Sequence, residues 1–295
     1  MFFMSTQHLL LLGTGGTIAG LAMDAQKPLN YVAGQLPVEG LLEKVQESLE
    51  FGEVRTVQVA NIDSRNMTEE LLVKLGWAVK AGLESDDVSG IVITHGTDTM
   101  AYTASALSFM LQGLKKPIVF TGSQLPIGII RTDGKENLIT AIEIAAACDA
   151  QGAPILQEVA VYFEYALFRG NRSSKVSAHQ FEAFAAPNYP LLAKAGVQIE
   201  WYKERLFRTN LPALQPQLQL HNEVLIWRLF PGMPISIYAS ALKYPAVKIL
   251  ILETFGAGNA FSTPEFQSVI QGFIAAGGLV LNITQCQSGA VRQGA

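Results

Sequence analysis

The strongest constraint in this chain is an alternation. Short apolar, β-branched runs at Leu9 to Leu12, Val54 to Val59, Ile91 to Thr94, Ile118 to Thr121 and Val159 to Phe163 are separated by amphipathic stretches. Strands that apolar must be covered on both faces, so the pattern predicts βαβ units and an open, mostly parallel sheet with helices on both sides. The segment Pro37 to Leu49 carries Val38, Leu41, Leu42, Val45 and Leu49 on one stripe, with proline in its first turn, where a missing N–H costs nothing. "TEELLVKLGWAVKAGL" opens on Thr68 as an N-cap with two glutamates behind it, and "TMAYTASALSFMLQGLKKP" and "DGKENLITAIEIAAAC" complete the helices. Residues 191–221 mix Leu, Pro, Gln and charged residues without a period and read as a connection between domains. Strands then resume at Val224 to Leu229, Val247 to Leu252 and Leu279 to Ile283, with a helix from Pro264 to about Ala276. The expected organisation is a catalytic α/β domain over 1–190, the connection, and a smaller carboxyl-terminal α/β domain over 222–295. That last domain reads as cut short, because "NITQCQSGAVRQGA" ends one loop after a strand.

Charge and cysteine usage narrow the function. The formal net charge of −4 comes from 21 Lys plus Arg against 25 Asp plus Glu, spread without clusters, which excludes a nucleic-acid surface. Cys148 and Cys286 lie far apart and outside any Cys/His cluster, so they read as buried free thiols rather than as a zinc site or disulfide. "MFFMSTQHLLLL" has no basic residue ahead of its apolar run and no small-residue cleavage site, and no apolar run reaches the roughly 18 residues of a membrane span. A cytoplasmic protein with a small-molecule substrate is expected.

In an open parallel sheet, ligands bind outside the carboxyl ends of the strands, and here those loops are hydroxyl-rich. "LLLLGTGGTIAG" invites a nucleotide reading that its spacing rejects. A dinucleotide fingerprint beginning at Gly13 meets Ile18 where its last glycine belongs, and a P-loop beginning at Gly15 meets Leu21 where its lysine belongs. What remains is a turn that brings backbone N–H groups and two threonine hydroxyls close to a small acceptor, a carboxylate or a developing oxyanion. In "IVITHGTDTMAY", Asp98 reads equally well as the cap of a helix opening at Thr99 or as a functional carboxylate beside Thr97. His95 reads as a packed strand-end histidine in preference to a general base. Lys175, after the fifth strand and a Gly-Asn-Arg turn, could fold back toward Asp98, and a Thr, Asp and Lys cluster would activate a hydroxyl without histidine.

At these residues a resemblance becomes specific. "TGGTIAG", "HGTDTMAYTASALSFML", "GSQLPI", "TDGKENL" and "GAGNA", in this order across nearly the whole chain, resemble the bacterial L-asparaginase family, a threonine-dependent asparaginase/glutaminase family. The resemblance implies hydrolysis of the side-chain amide of L-asparagine to L-aspartate and ammonia, without metal or organic cofactor. It puts the nucleophile on Thr17, an assisting tyrosine of the following mobile loop on Tyr31, and the second catalytic cluster on Thr97, Asp98 and Lys175. It implies that Asp98 also binds the α-amino group of the substrate, that Ser64 with Asp63 and Arg65 holds its α-carboxylate, and that Gly16, Thr97 and Ser123 line the pocket. It further implies a homotetramer built from close dimers, with Asn259 completing the neighbour's site. "ASALSFML", "GSQLPI" and "TQC" are similar to the cytosolic class, some of which carries a regulatory asparagine site near Thr284 to Cys286, whereas the loop around Tyr31 resembles the exported class.

Two other readings stand beside this one. A catalytically weak amino-acid-binding or regulatory protein would keep the pocket and lack turnover. The amidase subunit of a tRNA-dependent amidotransferase would share the chemistry, but the sequence shows neither an added amino-terminal domain nor basic patches. The preference for asparagine over glutamine stays open, because one methylene discriminates only modestly.

Overall fold

The computed structural model describes residues 7–23 and 31–292 of the chain. It divides into two compact units, Met1–Gln219 and Leu220–Ala295. The first unit opens with strand β1 (His8–Gly15), followed by a two-strand hairpin of β2 (Leu21–Ala22) and β3 (Tyr31–Val32) and by helix α1 (Val38–Leu42). Then come β4 (Val54–Ile62), α2 (Glu69–Glu84), β5 (Val88–Thr94), α3 (Thr97–Met110), β6 (Leu111–Gln112), β7 (Ile118–Thr121) and α4 (Gly134–Ala146). The unit continues with β8 (Val159–Phe163), β9 (Ala166–Arg169), β10 (Ser174–Lys175), β11 (Phe184–Ala185), β12 (Ala193–Ala195), β13 (Ile199–Trp201) and β14 (Gln215–Pro216).

Eight strands form one sheet in the order β13-β12-β9-β8-β7-β5-β1-β4. The five strands expected from their apolar runs are the parallel ones, and β9, β12 and β13 extend the sheet antiparallel at the β8 side. Residues 193–201 are therefore part of the large sheet and not of a connection. Strands of three residues with mixed side chains carry too little period to show in the sequence. The expected helix from Pro37 to Leu49 is also corrected. It is α1 followed by a tighter 3₁₀ stretch, Glu43–Phe51, broken where Val45 leaves helical geometry (φ −134°, ψ 41°) to bury its side chain.

The helices cover both faces. Leu9, Leu11, Val92 and Val119 of the sheet pack with Val38 and Leu41 of α1 and with Leu138 and Ile142 of α4. On the other face α2 lies over β4 and β5 and touches α3. Burying a leucine or isoleucine here contributes about 1.5–3 kcal/mol each before entropy is charged against it. The crossovers β1–α1–β4, β4–α2–β5 and β5–α3–β7 share one hand, whereas β7–α4–β8 places its helix on α1's face while moving the other way along the sheet. That last crossover has the opposite hand, a rare choice for parallel strands. To make it, residues 122–133 must double back over the carboxyl ends of the neighbouring strands.

The second unit holds β15 (Val224–Arg228), α5 (Ile235–Leu242), β16 (Ile249–Thr254), α6 (Pro264–Ala275) and β17 (Leu279–Thr284), with the three strands parallel. Trp227, Leu250 and Leu252 pack beneath Phe266 and Phe273 of α6. Thr263 caps α6 through the Phe266 N–H, and Pro264 occupies its first turn. Cys148 is buried but Cys286 is exposed in the loop after β17, where its N–H donates to Thr284 Oγ1, so only one of the two thiols is a core residue.

Candidate active site

Among the parallel strands, β1 lies between β4 and β5, so the chain leaves it in one direction and returns to continue in the other. The crevice at such a reversal point is where open α/β sheets bind ligands. Both threonine motifs flank it: Thr17 follows β1, and Thr97 follows β5.

Glycine lets these two loops meet. Gly16 has φ 81°, and a Cβ there would lie 2.3 Å from the backbone nitrogen of Gly96 and 2.4 Å from its Cα. A Cβ on Gly96 would in turn strike Ser64. The loops after β1 and β5 thus meet backbone to backbone with no room for a side chain between Gly16 and Gly96, and the Ser64 side chain, from the loop after β4, closes over Gly96. The Gly turn was expected to aim its N–H groups at a ligand, and for Gly16 this is corrected. Its N–H donates to the Ile62 carbonyl at 2.7 Å and its own carbonyl accepts from Gly34 at 3.0 Å. Thr14 is likewise structural: buried, its hydroxyl donates to the Thr94 carbonyl and ties β1 to β5.

Thr17 opens the 3₁₀ turn Thr17–Ala19, and its Oγ1 lies 3.2 Å from the hydroxyl of Tyr31. Tyr31 is brought there by the hairpin, in which it pairs with Ala22. Residues 24–30, the rest of the expected loop, lie outside the described residues.

The second motif is more tightly built. Helix α3 begins at Thr97 with Gly96 as its N-cap and no side-chain cap. Asp98 therefore is not the cap of a helix opening at Thr99; it is in the first turn, with its carboxylate free to face elsewhere. It faces Lys175, whose Nζ donates to Asp98 Oδ1 at 2.8 Å and to Thr97 Oγ1 at 2.7 Å. Lys175 sits on β10, paired antiparallel with β11, so the Gly170–Arg172 turn does fold it back across the sheet. Thr97 is buried and the Lys175 side chain is 19% exposed, whereas Asp98 is 61% exposed, which leaves its second oxygen open to a ligand.

Gln124 was not anticipated. Its Oε1 accepts from the Thr97 hydroxyl at 3.4 Å and its Nε2 donates to the Gln180 carbonyl. The reversed crossover explains its presence: the loop after β7 passes over the site, Ile127 N–H bonds the Ile18 carbonyl, and Asp133 holds the backbone N–H groups of Gln124 and Leu125. Burial raises the Asp133 carboxyl above the ordinary carboxylate range, against those two hydrogen bonds. The only signal available was the hydroxyl-rich "GSQLPI" itself. Ser123, expected in the pocket, is fully buried, and its hydroxyl donates to the Leu125 carbonyl at 2.5 Å.

Ser64 is buried under Gly96, and its carbonyl accepts from Thr99 Oγ1 at 2.9 Å. Asp63 is turned to its own loop, accepting from the Arg65 N–H at 3.1 Å and pairing with Arg65 Nε at 3.3 Å. His95 is a core residue. Its Nδ1–H donates to the Gly96 carbonyl at 2.8 Å, its ring lies beside Phe120, and desolvation lowers its pKa to about 4, so it stays neutral near pH 7. Asn259 belongs to the second unit, where it is exposed and exchanges backbone hydrogen bonds with Phe255 after β16. Among the described residues no group of three or more His, Cys, Asp or Glu side chains is placed to hold a metal ion. No helix there is long and apolar enough to cross a membrane.

Similarity to known proteins runs along nearly the whole chain. Residues 8–207 match the family described as "Asparaginase, N-terminal", and residues 223–295 match the "Glutaminase/Asparaginase C-terminal domain". The chain is 37% identical over 302 residues to L-asparaginase 1 of Escherichia coli K12, covering 99% of this chain and 83% of that protein. The solved L-asparaginase I of Vibrio cholerae superposes with a TM-score of 0.83 at 33% identity, covering 98% of this chain and 84% of that one. The thermostable L-asparaginase of Thermococcus kodakarensis superposes with a TM-score of 0.83 at 32% identity, covering 97% and 82%. With two family models in sequence, and relatives of this similarity along its length, the chain belongs to the asparaginase family.

Proposed function

We propose that this chain hydrolyses L-asparagine to L-aspartate and ammonia through Thr17. The observation that carries the reading is the seam between Gly16 and Gly96, which sets a Thr–Tyr pair against a Thr–Lys–Asp cluster. An amide needs a nucleophile, a route for its proton, and donors for the oxyanion. Thr17 Oγ1 attacks the side-chain carbonyl, and its proton passes through the Thr97 hydroxyl to Lys175 Nζ, which accepts it in its neutral amine form. The oxyanion is met by N–H groups that have no carbonyl partner within their own turn, those of Thr17 and of the first turn of α3, where the helix dipole adds positive potential. The C–N bond breaks as the nitrogen takes up the proton and leaves as ammonia, and water then cleaves the aspartyl–Thr17 ester.

Recognition of a free amino acid calls for one anion and one set of donors. The open oxygen of Asp98 suits the ammonium group. Ser64 and the N-terminus of α3 suit the α-carboxylate, with Arg65 at the rim. Asp63 then acts by fixing the Ser64 turn instead of touching substrate. We further infer a homotetramer with Asn259 lent to the neighbouring site, and a cytoplasmic location. The exposed position of Asn259 and the similarity to L-asparaginases support these readings.

The test is ammonia release from asparagine and from glutamine by the wild type and Thr17→Ala, with circular dichroism to show that both fold. The wild type releases ammonia from asparagine, and Thr17→Ala loses at least about 1,000-fold. Near-normal turnover by Thr17→Ala would overturn the mechanism. A folded wild type that binds aspartate and releases no ammonia would favour the amino-acid-binding reading.

A further inference from the structure

The chemistry proposed for Thr97 and Lys175 leaves their third neighbour, Gln124, without a role, yet its orientation is fixed. Gln124 Nε2 donates to the Gln180 carbonyl at 2.9 Å. A carbonyl oxygen only accepts, so the amide nitrogen must be the end that faces it. Gln124 Oε1, which also only accepts, is then the end that faces the Thr97 hydroxyl at 3.4 Å. The backbone behind it is anchored as firmly. Asp133 accepts from the N–H groups of Gln124 and Leu125 at 2.7 and 3.1 Å, and the fully buried Asn137 donates to Asp133 Oδ2 at 3.3 Å and to the Gly122 carbonyl at 3.0 Å. Gln180 lies between β10, which carries Lys175, and β11. Gln124 therefore holds Thr97 and the hairpin of Lys175 at once.

Thr97 has one hydroxyl proton and two neighbours that compete for it, Lys175 Nζ at 2.7 Å and Gln124 Oε1. As an ammonium, Nζ has no lone pair, so it donates to Thr97 Oγ1 and the Thr97 proton turns to Gln124 Oε1. As an amine, Nζ takes the Thr97 proton as acceptor, and Gln124 Oε1 has no other donor among the described residues. Gln124 thus favours the ammonium form. The relay starts from the amine: the Thr17 proton moves to Thr97 Oγ1 as the Thr97 proton moves to Nζ, and the proton newly on Thr97 can then turn to Gln124. We propose that Gln124 is a positioning residue for this relay, acting through the Thr97 hydroxyl to set how readily Lys175 becomes an amine and how strongly that amine draws the Thr17 proton. Few charged groups compete for this control. From α3, Asp98 pairs with Lys175 at 2.8 Å; from β11 its partner is the uncharged Phe184. In the β10–β11 connection His179 is exposed and Glu182 lies by Glu164, and neither pairs with Lys175; Arg172, ahead of β10, is exposed. Asp133, behind Gln124, is turned to backbone N–H groups. The kinetic half of this inference rests on the asparaginase reading; the effect on Lys175 protonation does not.

The test compares the full-length wild type with Gln124→Met and Gln124→Glu, with circular dichroism to show that each folds. Methionine keeps the length and removes the acceptor, whereas glutamate puts a stronger acceptor in its place. Two quantities are read. One is the pH dependence of kcat for ammonia release from asparagine. The other is an NMR titration of protein labelled with ¹³C at lysine Cε, in which the signal lost in Lys175→Met identifies Lys175. In Gln124→Met the Lys175 midpoint and the pH of half-maximal kcat are both expected to fall by about half a pH unit or more, the equivalent of one neutral hydrogen bond. In Gln124→Glu both are expected to rise by at least as much. The plateau kcat of Gln124→Met should drop about threefold, because a weaker base draws the proton less, while KM stays within about twofold. A residue that only braced the loop would lower kcat in both variants without moving the midpoints in opposite directions. Midpoints that stay where they are, or that move the same way in both variants, would overturn the proposal. A shift in the NMR midpoint with no shift in the kcat profile would overturn its kinetic half. If the wild type releases no ammonia, the asparaginase reading fails and the NMR titration still decides whether Gln124 governs Lys175.

Discussion

The two halves of the site are held by opposite means. Thr97 and Asp98 stand on the first turn of a long helix, and Lys175, from the short strand β10, closes on both of them with contacts of 2.7 and 2.8 Å, while the buried His95 holds the Gly96 carbonyl just ahead of that turn. Thr17 and Tyr31 meet through one contact of 3.2 Å, and Tyr31 stands on strands of two residues each, flanked by the exposed Leu21 and Val32. The difference separates two requirements of amide hydrolysis. Proton handling needs charged groups fixed in a set geometry, which only a core can supply. A nucleophile that must approach a substrate and later release it is better served by a lightly anchored loop. The seam at Gly16 and Gly96 makes these two halves one site.

Breaking the seam has the largest expected effect. In Gly16→Ala the new Cβ meets backbone atoms at 2.3 and 2.4 Å, and neither β1 nor α3 can retreat without unpacking the core. Activity is expected to fall below detection. Gly52→Ala is the matched control, because Gly52 also has positive φ (139°) but nothing within 4 Å of its Cβ position. It is expected to lose only about 1 kcal/mol of stability and no activity. Urea titrations and ammonia assays on both variants separate contact from backbone strain. An active Gly16→Ala would mean the halves do not depend on the seam.

The second test removes the fixed half's cation. Lys175→Met keeps the length of the side chain and deletes both hydrogen bonds, so kcat is expected to fall about 1,000-fold with a much smaller change in KM. A variant within tenfold of wild type would take Lys175 out of proton transfer and leave the cluster a structural ion pair.

Which parts of this comparison the sequence could announce depends on how local their causes are. The five parallel strands show themselves because each must be apolar along its whole length, and the strand-end loops because polar residues have few other reasons to interrupt such runs. The approach of Lys175 to Asp98 could be posed as an option from the Gly-Asn-Arg turn, but its distance could not. Gln124 and Ser123 are adjacent and chemically alike in the sequence, yet one reaches Thr97 and the other is turned inward. That choice is made by the reversed β7–α4–β8 crossover, a property of chain path that no residue type encodes. Gly16 reads as a glycine for a ligand, and it proves to be a glycine for another backbone, because the partner that excludes its Cβ is Gly96, far along the chain.

The foundation of the fixed half can be tested through pH. His95 holds its pKa near 4 in the folded protein against 6.5 for an unhindered histidine, because charging it would bury an unpaired cation. A depressed histidine pKa means that the unfolded chain binds the proton more readily. The stability it contributes is thus complete above about pH 6.5 and is lost as pH falls toward 4. Between pH 7 and pH 5 the loss amounts to about 2 kcal/mol. Glu164 acts in the opposite sense: desolvation raises its carboxyl to about 7 from 4.5, so its burial is least costly in acid. Comparing urea unfolding of the wild type with His95→Gln at both pH values cancels the Glu164 contribution. The variant is expected to lack the acid loss of about 2 kcal/mol, and an unchanged difference between pH 7 and pH 5 would place His95 outside the foundation of the cluster.

The smallest expected effect belongs to the loosely held half. Tyr31→Phe removes one hydroxyl whose contact with Thr17, between two neutral and partly buried groups, is at the long end of hydrogen-bonding distance. A neutral hydrogen bond contributes about 1 kcal/mol net, and each 1.4 kcal/mol of barrier is tenfold in rate, so kcat is expected to fall about tenfold or less. KM should hardly move, since the ring that packs near Gly20 remains. Thermal unfolding should be unchanged, because nothing in the core is left without a partner. Steady-state kinetics on Tyr31→Phe beside Lys175→Met therefore measures the comparison directly. A 1,000-fold loss in both would show that Tyr31 carries the Thr17 proton itself and that the hairpin is as much a part of the proton-handling apparatus as the helix. A small loss in Tyr31→Phe alone leaves that task with Lys175 and Thr97, and makes the tyrosine a group that orients the attacking hydroxyl.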